Sequence, residues 1–258
     1  MSTRFCFAIP LRSRTASQSW PRVEALLAGT LTSILAQTDP GFDVLIACHE
    51  RPDLPQLSDP RIKVLSCEAP TPTTFKEQML DKRLKRKMTG VEFARRGGGY
   101  FMPLDSDDLV SNRLAAYARE RASPTGYLID TGVVYDKPKG SVQVKEAFDQ
   151  TCGSCAVFAL APDDLPATLD DDRTCFFNAL DSHKQFAELA GAHGRPLEPI
   201  PFPVVIYVIG TGENWSILSG GVPLYSTSLQ TAKRVANRLL RRRQPTPALR
   251  REFAGLAA

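Results

Sequence analysis

Three aspartates stand within four residues in Asp105-Ser106-Asp107-Asp108, directly after the apolar run Tyr100-Phe101-Met102-Pro103-Leu104. Carboxylates two apart along an extended segment project to the same side. Asp105 and Asp107 can therefore hold one hard divalent cation, Mg²⁺ or Mn²⁺, together with the oxygens of a diphosphate. The apolar run reads as a buried strand ending near Leu104, and the region beyond the carboxyl end of such a strand is where open α/β sheets bind ligands. The same residues have a second reading, in which Asp107, Asp108 and Ser111 cap a helix beginning near Asn112. The elements around the acids decide between the two.

The chain has 258 residues, of which 43% are hydrophobic and 23% charged, so it can bury the core of one large domain and is neither a stapled miniprotein nor a disordered chain. The six cysteines are scattered, several within strand-like apolar runs, which predicts buried reduced thiols in a cytoplasmic protein. Cys152 and Cys155 form a CxxC, but without a second pair or a His partner for zinc, or the helix start of a redox pair. The first apolar run is interrupted by Pro10 and Arg12 before it could form a secretory core, and no stretch reaches the roughly 18 apolar residues of a membrane span.

Strands and helices alternate through the first half, which predicts a mostly parallel α/β sheet with helices on both faces. Strands are expected over residues 5–11, 42–48, 62–66 and 100–104, with helices over 19–37, 75–96 and 112–122. The helix over 19–37 carries its apolar residues at Val23, Leu26, Leu27, Leu31, Ile34 and Leu35, and Asp39-Pro40-Gly41 ends it. Further strands are expected over 127–135, 142–146, 156–160 and 202–209, with a hairpin turn at 136–140 and a helix over 178–193.

This order of elements, with particular motifs, resembles the GT-A glycosyltransferases of the broad family-2 type over most of residues 4–220. Ile9-Pro10-Leu11-Arg12-Ser13-Arg14 resembles the family's first strand and its Pro-containing turn, which implies that Pro10 and Arg12 meet the nucleotide. Ser33-Ile34-Leu35-Ala36-Gln37-Thr38 is similar to a recurrent helix end of the family. Ala47-Cys48-His49-Glu50 stands where the family carries a base-binding acid, which makes Glu50 the candidate. Asp105-Ser106-Asp107-Asp108 matches the DxD motif. The resemblance implies that Asp105 and Ser106 face the donor ribose, while Asp107, with Asp105, ligates a divalent metal, Mn²⁺ or Mg²⁺, on the diphosphate. Lys85, Arg86 and Lys87 add charge toward the phosphates in this reading, Lys87 foremost, and otherwise form a solvated helix face.

The resemblance implies a general base at the start of a helix in the second half, after a glycine-containing strand similar to Gly153-Ser154-Cys155-Ala156-Val157-Phe158. Asp181 holds that place, although the family's usual Glu-Asp pair is absent. His183 is its competitor because imidazole titrates near neutrality, and the acidic run Asp170-Asp171-Asp172 is a third possibility. Tyr207 to Ser216 resembles the segment in which relatives carry a third metal ligand, a histidine. Here the metal would rest on Asp107, phosphates and water, or on Glu213, and Trp215 would pack in the core or stack on a sugar.

The implied organisation is a domain over residues 1–228, with a nucleotide-sugar-binding half at 1–125 and an acceptor-binding half at 126–228, followed by a basic helical tail at 229–258. The implied activity is transfer of a sugar from a nucleotide-sugar donor to a hydroxyl acceptor on a sugar, lipid carrier or protein. A non-catalytic carbohydrate-binding relative and a nucleotidyltransferase are the alternatives, and the missing glycine in Pro10 to Arg14 speaks against the latter. The tail sets arginines among Val235, Leu239, Leu240 and Leu249, which fits an amphipathic helix lying on the anionic inner face of a membrane, holding an acidic polymer, or packing on the domain. Nucleic acid is not expected, since the net charge is only +4 and no aromatic platform accompanies the arginines.

Overall fold

A computed structural model describes residues 4–214 and 243–256. Trp215, Ser216 and residues 229–242 of the basic tail lie outside the described residues.

The first half folds as its alternation predicts. β1 (Phe5–Pro10), β2 (Phe42–Cys48) and β4 (Gly99–Pro103) are buried nearly throughout, as near-continuous apolar runs in a covered parallel sheet should be, while β3 (Ile62–Ser66) is half-exposed at the edge. β1 pairs in parallel with both β2 and β4, and β2 with β3. The sheet continues through β9 (Ala156–Leu160), which runs antiparallel between β4 and β6 (Gly126–Leu128), and ends at β10 (Glu198–Pro199). The result is a seven-stranded, mostly parallel sheet in the order β10-β6-β9-β4-β1-β2-β3. A second sheet of four strands has the order β5 (Leu109–Val110), β11 (Val205–Ile209), β7 (Thr131–Asp136), β8 (Ser141–Glu146).

α1 (Trp20–Leu35) starts with Pro21 in its first turn and buries Val23, Leu27, Leu31 and Ile34 in the main core. α2 (Phe75–Arg95) is nucleated by a capping box, in which Glu77 N–H donates to Thr74 Oγ1 and the Glu77 carboxylate accepts from Thr74 N–H. The turn after α2 needs glycine. Gly98 and Gly99 have φ of +70° and +132°, and a Cβ at either would sit 2.3 Å from a main-chain oxygen, of Leu160 or Arg4. This close approach seats β4 between β1 and β9 and so aims the residues that follow it.

Two expected elements come out divided. The run over 127–135 is two strands, because β6 pairs with β9 in one sheet and β7 with β11 in the other, and Ile129-Asp130 carry the chain across. The expected helix over 178–193 breaks into α4 (Phe176–Ala179), a 3₁₀ turn at His183–Gln185 and α5 (Phe186–Ala192). Leu180 leaves the helical region with ψ of 85°, and its carbonyl, free of any helical ladder, accepts from the Arg86 guanidinium instead.

The described end of the tail is docked. A short helix at Pro247–Glu252 carries Phe253 and Leu256 into a second apolar cluster with Leu109, Val133 and Ile206. Glu252 accepts there from Ser111 and Arg113. Among the described residues, no helix is long and apolar enough to cross a membrane.

Candidate functional site

The acidic turn sits where β4 runs out of the sheet. Leu104 N–H still donates to Ala8 carbonyl at 2.9 Å, continuing the β1–β4 ladder by one residue. Asp105 N–H then donates to Ser154 Oγ at 2.9 Å, and Thr30 Oγ1 donates to the Ser106 carbonyl at 3.0 Å. Gly153 packs so closely that a Cβ there would lie 2.8 Å from Asp105 Oδ2. The glycine-serine pair read as part of an acceptor strand thus holds the aspartate turn in place.

The three aspartates divide by direction. Asp108 points inward with no exposure, and its Oδ2 accepts from Ser154 Oγ at 2.6 Å and from the Cys152 thiol at 3.1 Å. Burial, with the charges of Asp107 and Asp105, raises its pKa well above the usual range, and its two bonds brace the turn. Asp105 and Asp107 face a cleft of about 130 Å³ that Pro10, Arg12, Ser106 and Lys82 also line. Neither Asp107 nor Asp108 caps a helix. Of the three residues read as caps, Ser111 alone serves the start of α3 (Leu114–Arg121), its Oγ accepting from Arg113 N–H at 3.3 Å.

The two cleft aspartates have opposite electrostatics. Burial alone would raise Asp105, but the Lys82 ammonium at 2.5 Å outweighs it and holds the carboxylate below its ordinary value. Asp107 is pushed up to about 7 by burial and by the charge of Asp105, with Asn214 Nδ2 donating to it at 3.2 Å. A carboxyl in this state binds a proton near neutrality unless another cation arrives. Two oxygen donors side by side suit a hard divalent metal, whose remaining positions diphosphate oxygens and water can fill.

Glu213, considered above as a metal ligand, is committed elsewhere. Its oxygens accept from the main-chain N–H of Gln18 and Ser19 and from Arg12 at 3.1 Å, which ties the loop before α1 to the wall of the cleft. The carboxylate also lies near the positive start of α1, a favourable place for an anion.

The structure brings Pro10, Arg12, Asp105, Ser106 and Asp107 together. Glu50 lies outside the cleft lining and accepts from Arg14 N–H at 3.0 Å. Lys87 points away, donating to the Asp171 carbonyl. Asp181 is half-exposed and paired with Arg83 at 2.5 Å, outside the cleft lining. His183 is also outside the cleft lining. Burial lowers its pKa despite the opposing charge of Asp105, and its Nε2 is buried with no hydrogen-bond partner. A neutral imidazole with a vacant nitrogen can accept a proton. Within the acidic run, Asp171 fastens its own loop through Arg173 and Ala167 N–H.

Sequence reasoning missed Asp81 and Lys82, and it did not single out Lys85 from its two basic neighbours. Lys85 is buried and donates to the Leu11 carbonyl and to Asp81 at 2.7 Å each. Asp81 also meets His49 Nε2 at 2.7 Å, while His49 Nδ1 faces the Cys67 carbonyl at 3.1 Å. His49, Cys67 and Asp81 could bring three ligand atoms within 4.8 Å of one another, but both Asp81 oxygens are taken and the Lys85 ammonium already supplies the cation. The legible signal was helical spacing, since 78, 81, 82 and 85 share one face of α2.

No family model matches the chain, and no curated protein matches it. Among solved structures, S. aureus TarS is similar over 80% of this chain at 15% sequence identity, with a TM-score of 0.43. The chain spans 37% of the length of that protein, and a likeness so distant carries no argument about activity.

Proposed function

We propose that the chain is a metal-dependent glycosyltransferase of the GT-A type, taking a sugar from a nucleotide-sugar donor to a hydroxyl acceptor. The observation that carries this reading is the pair Asp105 and Asp107 at the carboxyl end of a parallel strand, one ionised beside Lys82 and the other pushed up to about 7. The oxygen-only donor set of the pair fits Mg²⁺ or Mn²⁺, which when bound would stabilise the negative charge of the departing nucleoside diphosphate.

The residues of the chain supply the rest. Pro10 and Arg12 flank the nucleotide, with Arg12 fixed by its bond to Glu213. Ser106 holds the turn through its carbonyl, and Lys82 is a mobile ammonium that can transfer from Asp105 to a phosphate oxygen. His183 takes the proton of the attacking hydroxyl at Nε2, with Asp181 the second candidate for that step. Attack in line with the leaving diphosphate would invert the anomeric centre.

The test is thermal stability of the protein against a panel of nucleoside diphosphates and nucleotide sugars, with and without Mn²⁺, for wild type and Asp107→Asn. A metal-dependent rise with one nucleotide that is lost in the variant identifies the donor class. No rise with any nucleotide would sink the reading, and binding without transfer would favour a non-catalytic relative.

Attachment to an anionic membrane through residues 229–242 remains a separate proposal. Truncation after Ser228 is a poor test, because it also removes Phe253 and Leu256 from the second core. Replacing Arg238, Arg241 and Arg242 with glutamate and measuring sedimentation with anionic vesicles spares those contacts. Unchanged sedimentation would rule the anchor out.

A further inference from the structure

α2 carries a second set of cations on another face. Arg83, Arg86 and Lys87 stand at i, i+3 and i+4, so they share a side of the helix. With Arg173 they line a groove of about 780 Å³ against the segment 172–181, separate from the donor cleft. Leu80, Leu84 and Phe177 add apolar lining, and the volume is in the range of small-ligand sites.

The charges of this groove are incompletely matched. Two carboxylates line it, Asp172 and Asp181, and Asp181 is engaged by Arg83. Arg173 pairs with Asp171. The hydrogen bonds of Arg86 go to the carbonyls of Leu180 and Asp181, and that of Lys87 to the carbonyl of Asp171. Carbonyls satisfy N–H groups but do not neutralise a cation. Burial lowers the Arg86 pKa to about 10, although the nearby charge of Asp181 opposes the shift. Guanidinium forks spaced along one wall suit the several oxygens of a phosphate better than a single point charge would. Asp181 lines the groove, and His183 stands two residues further along the chain.

We propose that this groove binds a phosphate-bearing acceptor, with the phosphate on Arg86, Lys87 and Arg173 and the reactive hydroxyl directed toward His183. The acceptor role rests on the transferase reading; the anion site does not.

The test titrates ¹⁵N-labelled full chain with sn-glycerol 3-phosphate in EDTA, following the main-chain and arginine side-chain signals. A parallel arm measures sedimentation with phosphatidylcholine vesicles that do or do not contain phosphatidic acid. The proteins are wild type, Lys87→Gln/Arg173→Gln, the charge-keeping Lys87→Arg, and Asp107→Asn. Shifts are expected at Arg86 and Arg173, with Kd at least tenfold weaker in the double variant and unchanged in Lys87→Arg and Asp107→Asn. Phosphatidic acid binding that is lost in the double variant, with no response to glycerol phosphate, makes the source a lipid. A response to both makes a soluble phosphate sufficient.

Unchanged Kd and unchanged sedimentation in the double variant, or no response to either probe, would overturn the proposal. Metal-dependent nucleoside diphosphate binding is measured on the same proteins after exchange from EDTA into Mn²⁺. Its absence from wild type, with the phosphate response intact, would remove the transferase reading and leave the anion site standing.

Discussion

One helix, α2, presents cations to two places, and their partners differ in kind. Toward the donor cleft, Lys82 and Lys85 each meet a carboxylate, Asp105 at 2.5 Å and Asp81 at 2.7 Å. Toward the groove, Arg83 meets Asp181, but Arg86 and Lys87 meet main-chain carbonyls. Buried Lys85, matched by Asp81 and the Leu11 carbonyl, is part of a structure complete without ligand, whereas a cation bonded only to carbonyls has no carboxylate of its own to displace. The basic triplet Lys85-Arg86-Lys87 therefore does not act as one patch. Its first member is a buried strut and the other two belong to an open groove.

The largest effect should fall on the cleft. Asp107→Asn removes the carboxylate best placed to receive a metal, and transfer should drop on the order of 10³-fold with nucleotide binding no longer metal-dependent. Steady-state rates across a Mn²⁺ series check this, and retained metal dependence would move the metal site elsewhere. Lys85→Met should be next. It leaves Asp81 buried without its cation, at a cost of about 3 kcal/mol, and at about 3 °C per kcal/mol for a chain this long the melting midpoint should fall by roughly 9 °C. Arg83→Ala, which breaks an exposed pair on the groove side, should change stability by less than about 0.5 kcal/mol. Equal losses for the two variants would dissolve the distinction between strut and groove.

His183→Gln should slow transfer about 10²-fold with little change in KM, while Asp181→Asn should change it less. The pH profile sharpens the assignment. Burial lowers the His183 pKa below its ordinary 6.5, so the neutral base is already present at and above neutrality. With Mn²⁺ saturating, so that Asp107 carries metal rather than a proton, wild-type kcat/KM should fall as the solution is acidified through that lowered value, and the variant should lack this limb. An acid limb that persists in His183→Gln would pass the role to Asp181.

The part of this arrangement that was legible in sequence is the part built from local rules. The strands of the parallel half are continuous apolar runs, and the acidic turn follows one of them, so the places of Asp105 and Asp107 could be read before any contact was known. The break at Leu180 could not be read, because an arginine 94 residues earlier captures its carbonyl. Glu213 was legible as an acid near the site but not as the tie between Arg12 and the start of α1, a bond spanning 201 residues. Part of the split of the basic triplet was within reach, since helical geometry alone sets Lys85 and Lys87 on nearly opposite sides of α2, but it leaves Arg86 between Lys82 and Arg83, and only its contacts with Leu180 and Asp181 place it.

The pH dependence of stability tests why the cleft is unfinished without a cation. The folded state holds Asp107 at about 7 against an ordinary value of 3.8, so between these values the unfolded chain releases a proton that the folded chain keeps. Stability of the metal-free protein must then decline as pH rises from about 4 to 7 and level off above, the opposite of a salt-bridged aspartate. Because the cleft is open to water, the cost should be roughly 1–2 kcal/mol rather than the full value of such a shift. In EDTA, Asp107→Asn should match wild type near pH 4 and melt higher at pH 8. Mn²⁺ with nucleoside diphosphate should reverse that order at pH 8 by stabilising wild type alone. Melting curves that run parallel for the two proteins at both pH values would mean that Asp107 is already an anion in the empty cleft, matched as fully as Asp105 is by Lys82, and the contrast between the two acids would be lost.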